Sequence, residues 1–212
     1  MSVAETLDRI ASEVSVCTKC ALHESRKKAV TGEGPADAEI MFIGEGPGFL
    51  ENEQGRPFVG AAGQFLDELL AQAGLKRADV WIGNVVKCRP PGNRDPLPEE
   101  LSACNVYLEQ QINALNPKII ITLGRFSMGK FMPGVKISQA HGQMRKVGER
   151  FVIAMFHPAA ALHQASLKPA ILQDFAQLPK LLEQARTLLK RAAPGKAQVE
   201  EPPEPPKQLS LF

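Results

Sequence analysis

The sequence predicts an α/β protein, a three-layer sandwich around a four-stranded parallel sheet. Four short apolar runs, rich in β-branched residues, have the composition of buried parallel strands: 39–44, 80–87, 118–124 and 150–156. Helical patterns lie between these runs, at 61–74, 98–115 and 124–131, as in βαβ units. The 212 residues, 44% hydrophobic and 23% charged, fit one soluble globular domain.

Two further helices are predicted to flank this unit. Residues 3–15 place apolar side chains at a 3-4 spacing, which predicts a helix, and the pattern of 169–191 predicts a long closing helix, with a kink expected at Pro179. The turn-rich stretch 135–150 predicts a short hairpin before the last core strand. From residue 192 the composition changes to prolines and acids, which is typical of a disordered tail. We therefore expect a domain at 1–191 and a tail at 192–212.

The net charge, the lack of long apolar stretches and the N-terminal sequence bear on the partners and the location of the protein. The formal net charge of +2 gives only weak support for a polyanionic partner, since only a clustered basic patch would bind one. No apolar stretch approaches the roughly 20 residues of a membrane span, and the first residues lack the layout of a signal peptide. We expect a cytoplasmic protein with no membrane partner.

The four cysteines predict a metal centre. Cys17 and Cys20 form a C-x2-C pair, Cys88 follows a predicted strand, and Cys104 lies in the next helix. Buried inert thiols are the alternative. Four thiolates with no extra cysteine fit one tetrathiolate centre, either zinc or an iron–sulfur cluster. The absence of a second C-x2-C pair favours [4Fe–4S] over a zinc ribbon.

Polar residues lie at or near the ends of three of the predicted strands. Glu45 follows the first, Asn84 lies near the end of the second, and His157 comes directly after the last. Carboxyl ends of parallel strands share one rim of the sheet, where ligands of open α/β folds bind. A lone histidine is often structural, but three converging polar side chains make His157 a catalytic candidate. His23 and His163 are expected at the surface.

The glycine-rich stretch 44–60, GEGPGFLENEQGRPFVG, resembles a phosphate-binding loop only superficially. It lacks the Gly-Lys-Ser/Thr of a Walker loop and the G-x-G-x-x-G fingerprint. Pro47 removes one amide that a phosphate would need, and Glu45 and Glu51 add negative charge. An exposed main chain, a carboxylate and the nearby Phe58 fit a flat, neutral, hydrogen-bonding ligand instead.

Three of these motifs, together with the four cysteines, resemble those of a known protein family. GEGPG…E…GRPFVGAAG, GNVVKCRPPGNRDP and HPAAAL, with four cysteines in this order, resemble the family 4 uracil-DNA glycosylases of the uracil-DNA glycosylase superfamily. The resemblance covers roughly residues 10–180. It implies an iron–sulfur enzyme of base excision repair that removes uracil from DNA as a monofunctional glycosylase. It also implies one structural [4Fe–4S] cluster on Cys17, Cys20, Cys88 and Cys104.

The same resemblance implies a set of uracil-binding residues. Glu45 and Gly46 would lie along the uracil edge, Phe58 would stack on the base and Asn84 would bond its O4 and N3–H. His157 would donate to O2 as negative charge develops on the leaving base. Glu51 is our candidate for the wall that excludes the methyl group of thymine. We expect His157, Glu45 and Asn84 to be catalytic.

Three departures from related sequences bear on this expectation. Gly46 stands where the best-known branch has an aspartate that orients the attacking water, so the partner of the water is not visible in the sequence. Family 4 members commonly have Glu-Asp where this chain has Glu51 and Asn52. A branch that traps uracil-DNA covalently uses a histidine after the second motif, and CRPPGNRDP has none, which favours turnover.

Basic residues near these motifs are candidates for binding phosphate groups of DNA. Arg89 and Arg94 flank the loop after Cys88, and three more precede the last strand: His141, Arg145 and Lys146. Such contacts are salt-dependent and read little sequence. An ordinary solvated surface is the alternative for each of them.

The chain ends in QLSLF, which resembles the pentapeptide with which bacterial proteins bind the β sliding clamp. Its residues are Gln208, Leu209, Ser210, Leu211 and Phe212. The apolar side chains could fill a groove, and a frayed end with chance apolar residues is the alternative. The expected partners are thus uracil-containing DNA, single- or double-stranded, and the clamp, bound by a monomer.

The functional hypotheses differ in what happens to the DNA. A glycosylase hydrolyses the N-glycosidic bond of deoxyuridine and leaves an abasic site. A non-catalytic iron–sulfur protein would bind uracil-DNA without releasing the base, and a trapping protein would form a covalent adduct.

Overall fold

Within residues 1–192, the part of the chain that the computed structural model describes, the polypeptide forms five strands and eight α-helices. The strands are β1 (Ile40–Gly44), β2 (Trp81–Asn84), β3 (Ile119–Leu123), β4 (Gln143–Val147) and β5 (Arg150–Met155). The helices are α1 (Val3–Ser15), α2 (Phe49–Gln54), α3 (Ala61–Gln72), α4 (Pro98–Leu115), α5 (Arg125–Phe131), α6 (Ile137–Ala140), α7 (Pro158–His163) and α8 (Lys168–Ala192). Apart from Ala192, the predicted tail lies outside the described residues.

The strands form one sheet in the order β2-β1-β3-β5-β4. The four strands predicted from apolar runs are β1, β2, β3 and β5, and their pairings with one another are all parallel. β4 adds a fifth strand, which pairs antiparallel with β5 at the sheet edge. The sequence interpretation missed it because β4 is an edge strand of mostly exposed polar residues, without the apolar run of a buried strand. The predicted hairpin is therefore formed by β4 with the last core strand itself.

Alternate residues of the buried strands pack into separate layers on the two faces of the sheet. Phe42 and Ile121 contact one layer, which contains apolar residues of α3 and α8. Met41 and Ile120 contact the other, which contains residues of α1, α4 and α5. The period-2 alternation of strand side chains thus produces the predicted three-layer sandwich.

Most predicted helices are confirmed, and two short ones, α2 and α6, were missed. α1 and α4 have the predicted bounds, and α8 continues through Pro179. α6 lies in the stretch predicted as a hairpin, and α2 lies inside the glycine-rich stretch. A carboxylate oxygen of Glu51 accepts a hydrogen bond from the Gly48 amide at 3.1 Å, which closes the first turn of α2. None of the helices in residues 1–192 has the length and apolar character needed to cross a membrane.

Candidate active site

A cavity of about 560 Å³ lies at the carboxyl ends of the parallel strands, and we call it the rim cavity. It brings together all six residues predicted to surround the ligand. They are Glu45, Gly46, Glu51, Phe58, Asn84 and His157. The elements explain the convergence, because β1, β2 and β5 run in the same direction and end at this rim.

Asn84, the last residue of β2, presents an unsatisfied acceptor. The residue is only 1% exposed, and its Oδ1 atom has no hydrogen-bond partner. An unpaired buried polar atom costs about 1–3 kcal/mol, so native proteins rarely keep one without a reason. A ligand that brings an N–H group into the rim cavity would remove this cost.

Gly44, at the end of β1, makes room for the side chain of Asn84. A Cβ atom at position 44 would lie 2.5 Å from Asn84 Oδ1 and 2.7 Å from Phe58 Cζ. Real side chains do not make such contacts, so any larger residue would displace both groups. Glycine is therefore required here by the close approach of two cavity side chains.

Phe58 forms a wall of the rim cavity. Its ring stacks on the His157 ring, with 5.5 Å between centroids and 26° between planes. Its main chain has a φ of 51°, which is unusual for a bulky residue. The ring is therefore held by a local backbone conformation that most L-residues avoid, and this is a feature of functional sites.

The proton of the His157 imidazole is placed by the start of α7. The Ala159 amide donates to His157 Nδ1 at 3.1 Å, so in the neutral ring the proton lies on Nε2. The protein displaces water from around the ring, and this desolvation lowers the pKa of His157 to about 4. At neutral pH the residue is an uncharged hydrogen-bond donor at the rim cavity.

Glu45 faces an environment that disfavours its charge. Burial raises the pKa of its carboxyl group, and the nearby carboxylate of Asp95 adds to this effect. Arg125 opposes it, and Arg125 itself forms an ion pair with Asp95. Both of these residues also line the rim cavity.

Glu51 organises the main chain around the cavity. One carboxylate oxygen accepts from Val59 and Gly60 amides, both at 2.9 Å, and the other accepts from Gly48. The residue is 9% exposed. Its carboxylate is thus fixed in place and joins the start of α2 to the loop that carries Phe58.

The four cysteines line one small cavity among α1, α4 and the loop after β2. Cys88 and Cys104 are buried in an apolar cluster with Ile10 and Val14, whereas Cys17 and Cys20 are partly exposed. The loop position predicted for Cys88 is confirmed, but its side chain is in the core. Within residues 1–192, no three His, Cys, Asp or Glu side chains converge on a point that could hold a single metal ion.

Hydrogen-bond donors point at three of the four sulfurs. The Lys19 amide donates to Cys17 at 3.5 Å, the Lys87 amide to Cys104 at 3.3 Å, and Arg26 Nη1 to Cys88 at 3.5 Å. Burial nevertheless raises the pKa of the Cys104 thiol to about 11. The donors and the Arg26 cation form an environment that suits anionic sulfur.

Lys87 is a buried cation beside these sulfurs. Its side chain is fully buried, and its Nζ donates to the Asn84 carbonyl at 2.9 Å and to Gln111 Oε1 at 2.7 Å. No carboxylate pairs with it within the described part of the chain. Desolvation lowers the pKa of Lys87 to about 8, and the neighbouring Cys104 opposes that shift. A buried ammonium normally requires an anion nearby.

The structure separates the predicted DNA-contact residues into two groups. Arg94 lines the rim cavity, and its two terminal guanidinium nitrogens donate to the carboxylate of the buried Glu100. Arg89 lies on the same loop, with its guanidinium over the Phe49 ring. His141 bonds Asp174 at 2.8 Å and packs on Phe156, a cavity residue. The remaining two, Arg145 and Lys146, lie on β4 opposite Val152 and Phe151, toward the amino end of β5.

Several cavity residues were missed by the sequence interpretation. Asn93, with a φ of 56°, Asp95 and Arg125 line the rim cavity beside Glu45. Their positions depend on the fold of the loop after Cys88 and on the start of α5, and no motif in the sequence marks them. The only sequence signal for the left-handed backbone of Asn93 was its place beside a glycine in the loop GNRDP, because Asn tolerates that conformation better than most residues.

The fold and the rim cavity define an open α/β protein that binds its ligand at the carboxyl ends of its strands. A sequence model of the uracil DNA glycosylase superfamily matches residues 31–178. A type-4 uracil-DNA glycosylase of Archaeoglobus fulgidus is 45% identical over 188 residues, covering 84% of this chain and 94% of the relative. One of Thermotoga maritima is 42% identical over 192 residues, covering 88% and 96%. A type-5 uracil-DNA glycosylase of Thermus thermophilus is 32% identical over 146 residues, covering 62% and 63%.

The chain therefore belongs to the uracil DNA glycosylase superfamily and, within it, to the type-4 enzymes. This confirms the family that the three sequence motifs and the cysteines predicted. The two type-4 relatives are matched over 94% and 96% of their length. The segment matched by the family model, 31–178, contains all the residues that line the rim cavity.

Proposed function

We propose that this uracil-DNA glycosylase binds an extruded deoxyuridine with its base in the rim cavity. It hydrolyses the N-glycosidic bond, releases uracil and leaves an abasic site in the DNA. The observation that carries this proposal is the unsatisfied Oδ1 atom of the buried Asn84. Enzymes that act on a base take it out of the stack and read its Watson–Crick edge, which supplies the missing N–H donor.

Asn84 distinguishes uracil from cytosine. Its Oδ1 accepts from uracil N3–H while its amide nitrogen donates to O4. Cytosine presents the reverse pattern, an acceptor at N3 and a donor at N4, so bound cytosine would leave groups unpaired at about 1–3 kcal/mol each. Glu45 and Gly46 are proposed to lie along the edge of the uracil ring. We assign the exclusion of thymine to Glu51, whose carboxylate is fixed by three main-chain amides.

The remaining groups act on the reaction itself. The bond between C1′ and N1 breaks and its electron pair stays on uracil, while a water oxygen bonds C1′. His157 donates from Nε2 to uracil O2, and this bond strengthens as negative charge develops on the base. Phe58 stacks on the uracil face, worth about 1–3 kcal/mol. Burial raises the pKa of Glu45, which makes its carboxylate a better acceptor for a proton of the attacking water.

The four cysteines are proposed to hold one [4Fe–4S] cluster. Such a cluster binds each thiolate through a different iron, so its ligands need not converge on one ion, in keeping with their arrangement here. The donors to sulfur and the buried Lys87, which lacks a carboxylate partner, fit an anionic group at this place. The cluster, when bound, supplies structural cross-linking of α1, α4 and the loop after β2.

Elemental analysis tests the cofactor. A cluster predicts about four irons per chain and a brown protein with broad absorbance near roughly 400 nm. One zinc per chain and a colourless protein would contradict it.

Contacts with DNA phosphates are proposed for Arg89 and Arg94, which lie beside the rim cavity. His141 is a further candidate because it packs on the cavity residue Phe156. Arg145 and Lys146, on the edge strand, stay predictions. Phosphate contacts of this kind should make binding weaker at higher salt concentration.

The C-terminal pentapeptide 208–212 is proposed to bind the β sliding clamp of a bacterial replication machinery. It lies outside the described residues, so the proposal rests on its resemblance to clamp-binding peptides and on the spacer before it. Residues 192–207 could reach at most roughly 50 Å when extended at about 3.3 Å per residue. Tethering to the clamp would raise the enzyme's concentration near replicated DNA. We expect a monomer that works in the cytoplasm, where such DNA lies.

Base release is tested with a uracil-containing oligonucleotide, incubated with cluster-loaded protein and then treated with alkali. The proposal predicts cleavage at the uracil position and free uracil in solution. Intact strands with bound protein would support the non-catalytic alternative. A protein–DNA adduct that survives denaturing electrophoresis would support covalent trapping.

A further inference from the structure

The segment that carries Phe58 needs external support. Phe58 adopts a φ of 51°, and its carbonyl lies so close to Gly63 that a Cβ atom there would be 2.0 Å from Phe58 oxygen. Bulky residues avoid this backbone conformation, which costs free energy unless the surroundings impose it. The contacts that hold residues 57–60 therefore determine where the Phe58 ring lies.

Two charged side chains hold this segment from opposite sides. Glu51 accepts from the amides of Val59 and Gly60, both at 2.9 Å. Arg77 binds the carbonyls that precede them, donating from Nη1 to the Phe58 oxygen at 3.2 Å and from Nη2 to the Pro57 oxygen. The peptide unit after Phe58 is thus fixed at both its carbonyl and its amide, and the unit before Phe58 is fixed at its carbonyl.

Arg77 is itself firmly anchored. Its Nε and Nη2 donate to Glu33 Oε1 at 3.1 and 2.9 Å, and its Nη1 donates to Asp67 at 3.0 Å. With the two carbonyls, these bonds number as many as the five N–H donors of a guanidinium. Glu33 in turn exchanges two main-chain hydrogen bonds with Ile82 of β2, at 2.9 and 2.8 Å. Arg77 therefore connects the sheet to the Phe58 loop.

We propose that Arg77 is a positioning residue for uracil excision, which acts by fixing the backbone of Phe58 so that its ring faces the extruded base. This inference rests on the proposed stacking role of Phe58. Arg77 is not among the residues that line the rim cavity. Its effect on the reaction passes entirely through Phe58, and this separates it from a residue that only stabilises the fold.

Arg56 provides a matched control. It is bound to the same carboxylate, with Nε 2.8 Å from Glu33 Oε2, but it has no recorded bond to the carbonyls of residues 57 and 58. Its side chain is 60% exposed, against 22% for Arg77. Arg56→Gln therefore removes a Glu33 ion pair and leaves the support of Phe58 unchanged.

The test is a double-mutant cycle on the single-turnover rate of uracil release by the cluster-loaded enzyme. We expect Arg77→Gln to lower the rate about 10- to 100-fold, the loss typical of a misplaced active-site group. In a Phe58→Ala background the same substitution should change the rate less than about twofold, because there is no ring left to position. Arg56→Gln should stay within about twofold of the wild type.

Arg77→Lys is a second, more conservative variant, which keeps the test valid if Arg77→Gln does not fold. Lysine keeps the charge beside Glu33 but cannot bind two carbonyls and two carboxylates together. It should fold like the wild type by circular dichroism and show an intermediate rate.

The possible results distinguish a failure of the Arg77 proposal from a failure of the stacking role proposed for Phe58. An equal loss from the Arg77 substitution in both backgrounds, with a slow Phe58→Ala enzyme, would overturn the Arg77 proposal alone. A Phe58→Ala enzyme with the wild-type rate would overturn the stacking role, and the Arg77 proposal with it. A well-folded Arg77→Lys enzyme with the wild-type rate would also contradict the proposal.

Discussion

At the scale of single residues, His157 shows how a helix start can set a protonation state. The Ala159 amide occupies Nδ1, which leaves the proton on Nε2, where the leaving base needs a donor. Desolvation lowers the pKa of the ring from 6.5 to about 4. Because the folded state disfavours the charged ring, the protein loses stability as pH falls from about 6.5 toward 4, and it gains none from this group above that range.

The protonation state of His157 can be measured directly. In nitrogen-labelled protein, the His157 ring signals, assigned by their absence from a His157→Gln variant, should titrate with a midpoint near 4. They should show the neutral tautomer with the proton on Nε2 throughout the neutral range. A midpoint near 6.5 would contradict the desolvated environment described for the ring.

Gly44 gives a second prediction at this scale. Gly44→Ala would place a methyl group 2.5 Å from Asn84 Oδ1 and 2.7 Å from the Phe58 ring, so both groups, which we propose to contact uracil, must move. We expect uracil release to slow on the order of 100-fold. The measurement is the single-turnover rate on a uracil-containing oligonucleotide.

Gly129, within α5, supplies the control for that substitution. A Cβ atom there meets nothing within 4 Å, so Gly129→Ala should keep the wild-type rate. It should also stabilise the helix by roughly 0.5–1 kcal/mol, since alanine is the better helix former. A similar rate loss in both variants would show that the contacts of Gly44 are not the cause.

At the scale of elements, the glycine-rich stretch shows what sequence reasoning could and could not predict. Its lack of a lysine and its acids argued against a phosphate loop, and the sequence singled out Phe58 and Glu51, which both line the rim cavity. The helix α2 and the left-handed Phe58 were not predicted. The Phe58 segment donates hydrogen bonds to Glu51 and accepts them from Arg77, across 8 to 20 residues of sequence, and local patterns do not reveal such contacts. The start of α2 is closed by a bond from the Gly48 amide to Glu51, without the Ser or Thr that usually marks a helix start.

The four-cysteine site leads to a prediction about two elements together. Cys104 lies on α4, and Cys17 directly follows the end of α1. Cys104→Ser should lower the iron content and the absorbance near roughly 400 nm, and it should lower the unfolding temperature because α1 and α4 lose a cross-link. Wild-type protein stripped of metal by a chelator should unfold like the variant. Unchanged iron and unfolding temperature would contradict ligation by Cys104.

At the scale of the whole molecule, the buried parallel strands were the most predictable part. The apolar runs located β1, β3 and β5 within about a residue or two, because strands covered on both faces are apolar throughout. The edge strand β4 carries Arg145 and Lys146 and has no such run. The six residues predicted to surround the ligand could be identified because each lies near a strand end or in a motif, whereas Arg77 lies in a short turn before β2.

The tail gives a prediction for the full chain. Deleting residues 208–212 should abolish binding to an isolated β sliding clamp and leave the rate on short oligonucleotides unchanged, because the rim cavity belongs to residues 1–192. Surface plasmon resonance with immobilised clamp measures the first effect. Replacing Leu211 and Phe212 by alanine, with the chain length kept, should act like the deletion, and clamp binding by either variant would contradict the proposal.

The most direct test of the uracil-reading site is the substitution Asn84→Ala, measured for uracil release and for thermal unfolding together. Because the Oδ1 atom is buried without a partner until uracil binds, its removal should leave the unfolding temperature unchanged or higher. The single-turnover rate on a uracil-containing oligonucleotide should fall at least about 100-fold, as the base loses two hydrogen bonds and its alignment. A stable variant that releases uracil at the wild-type rate would contradict the assignment of Asn84 as the residue that reads the base.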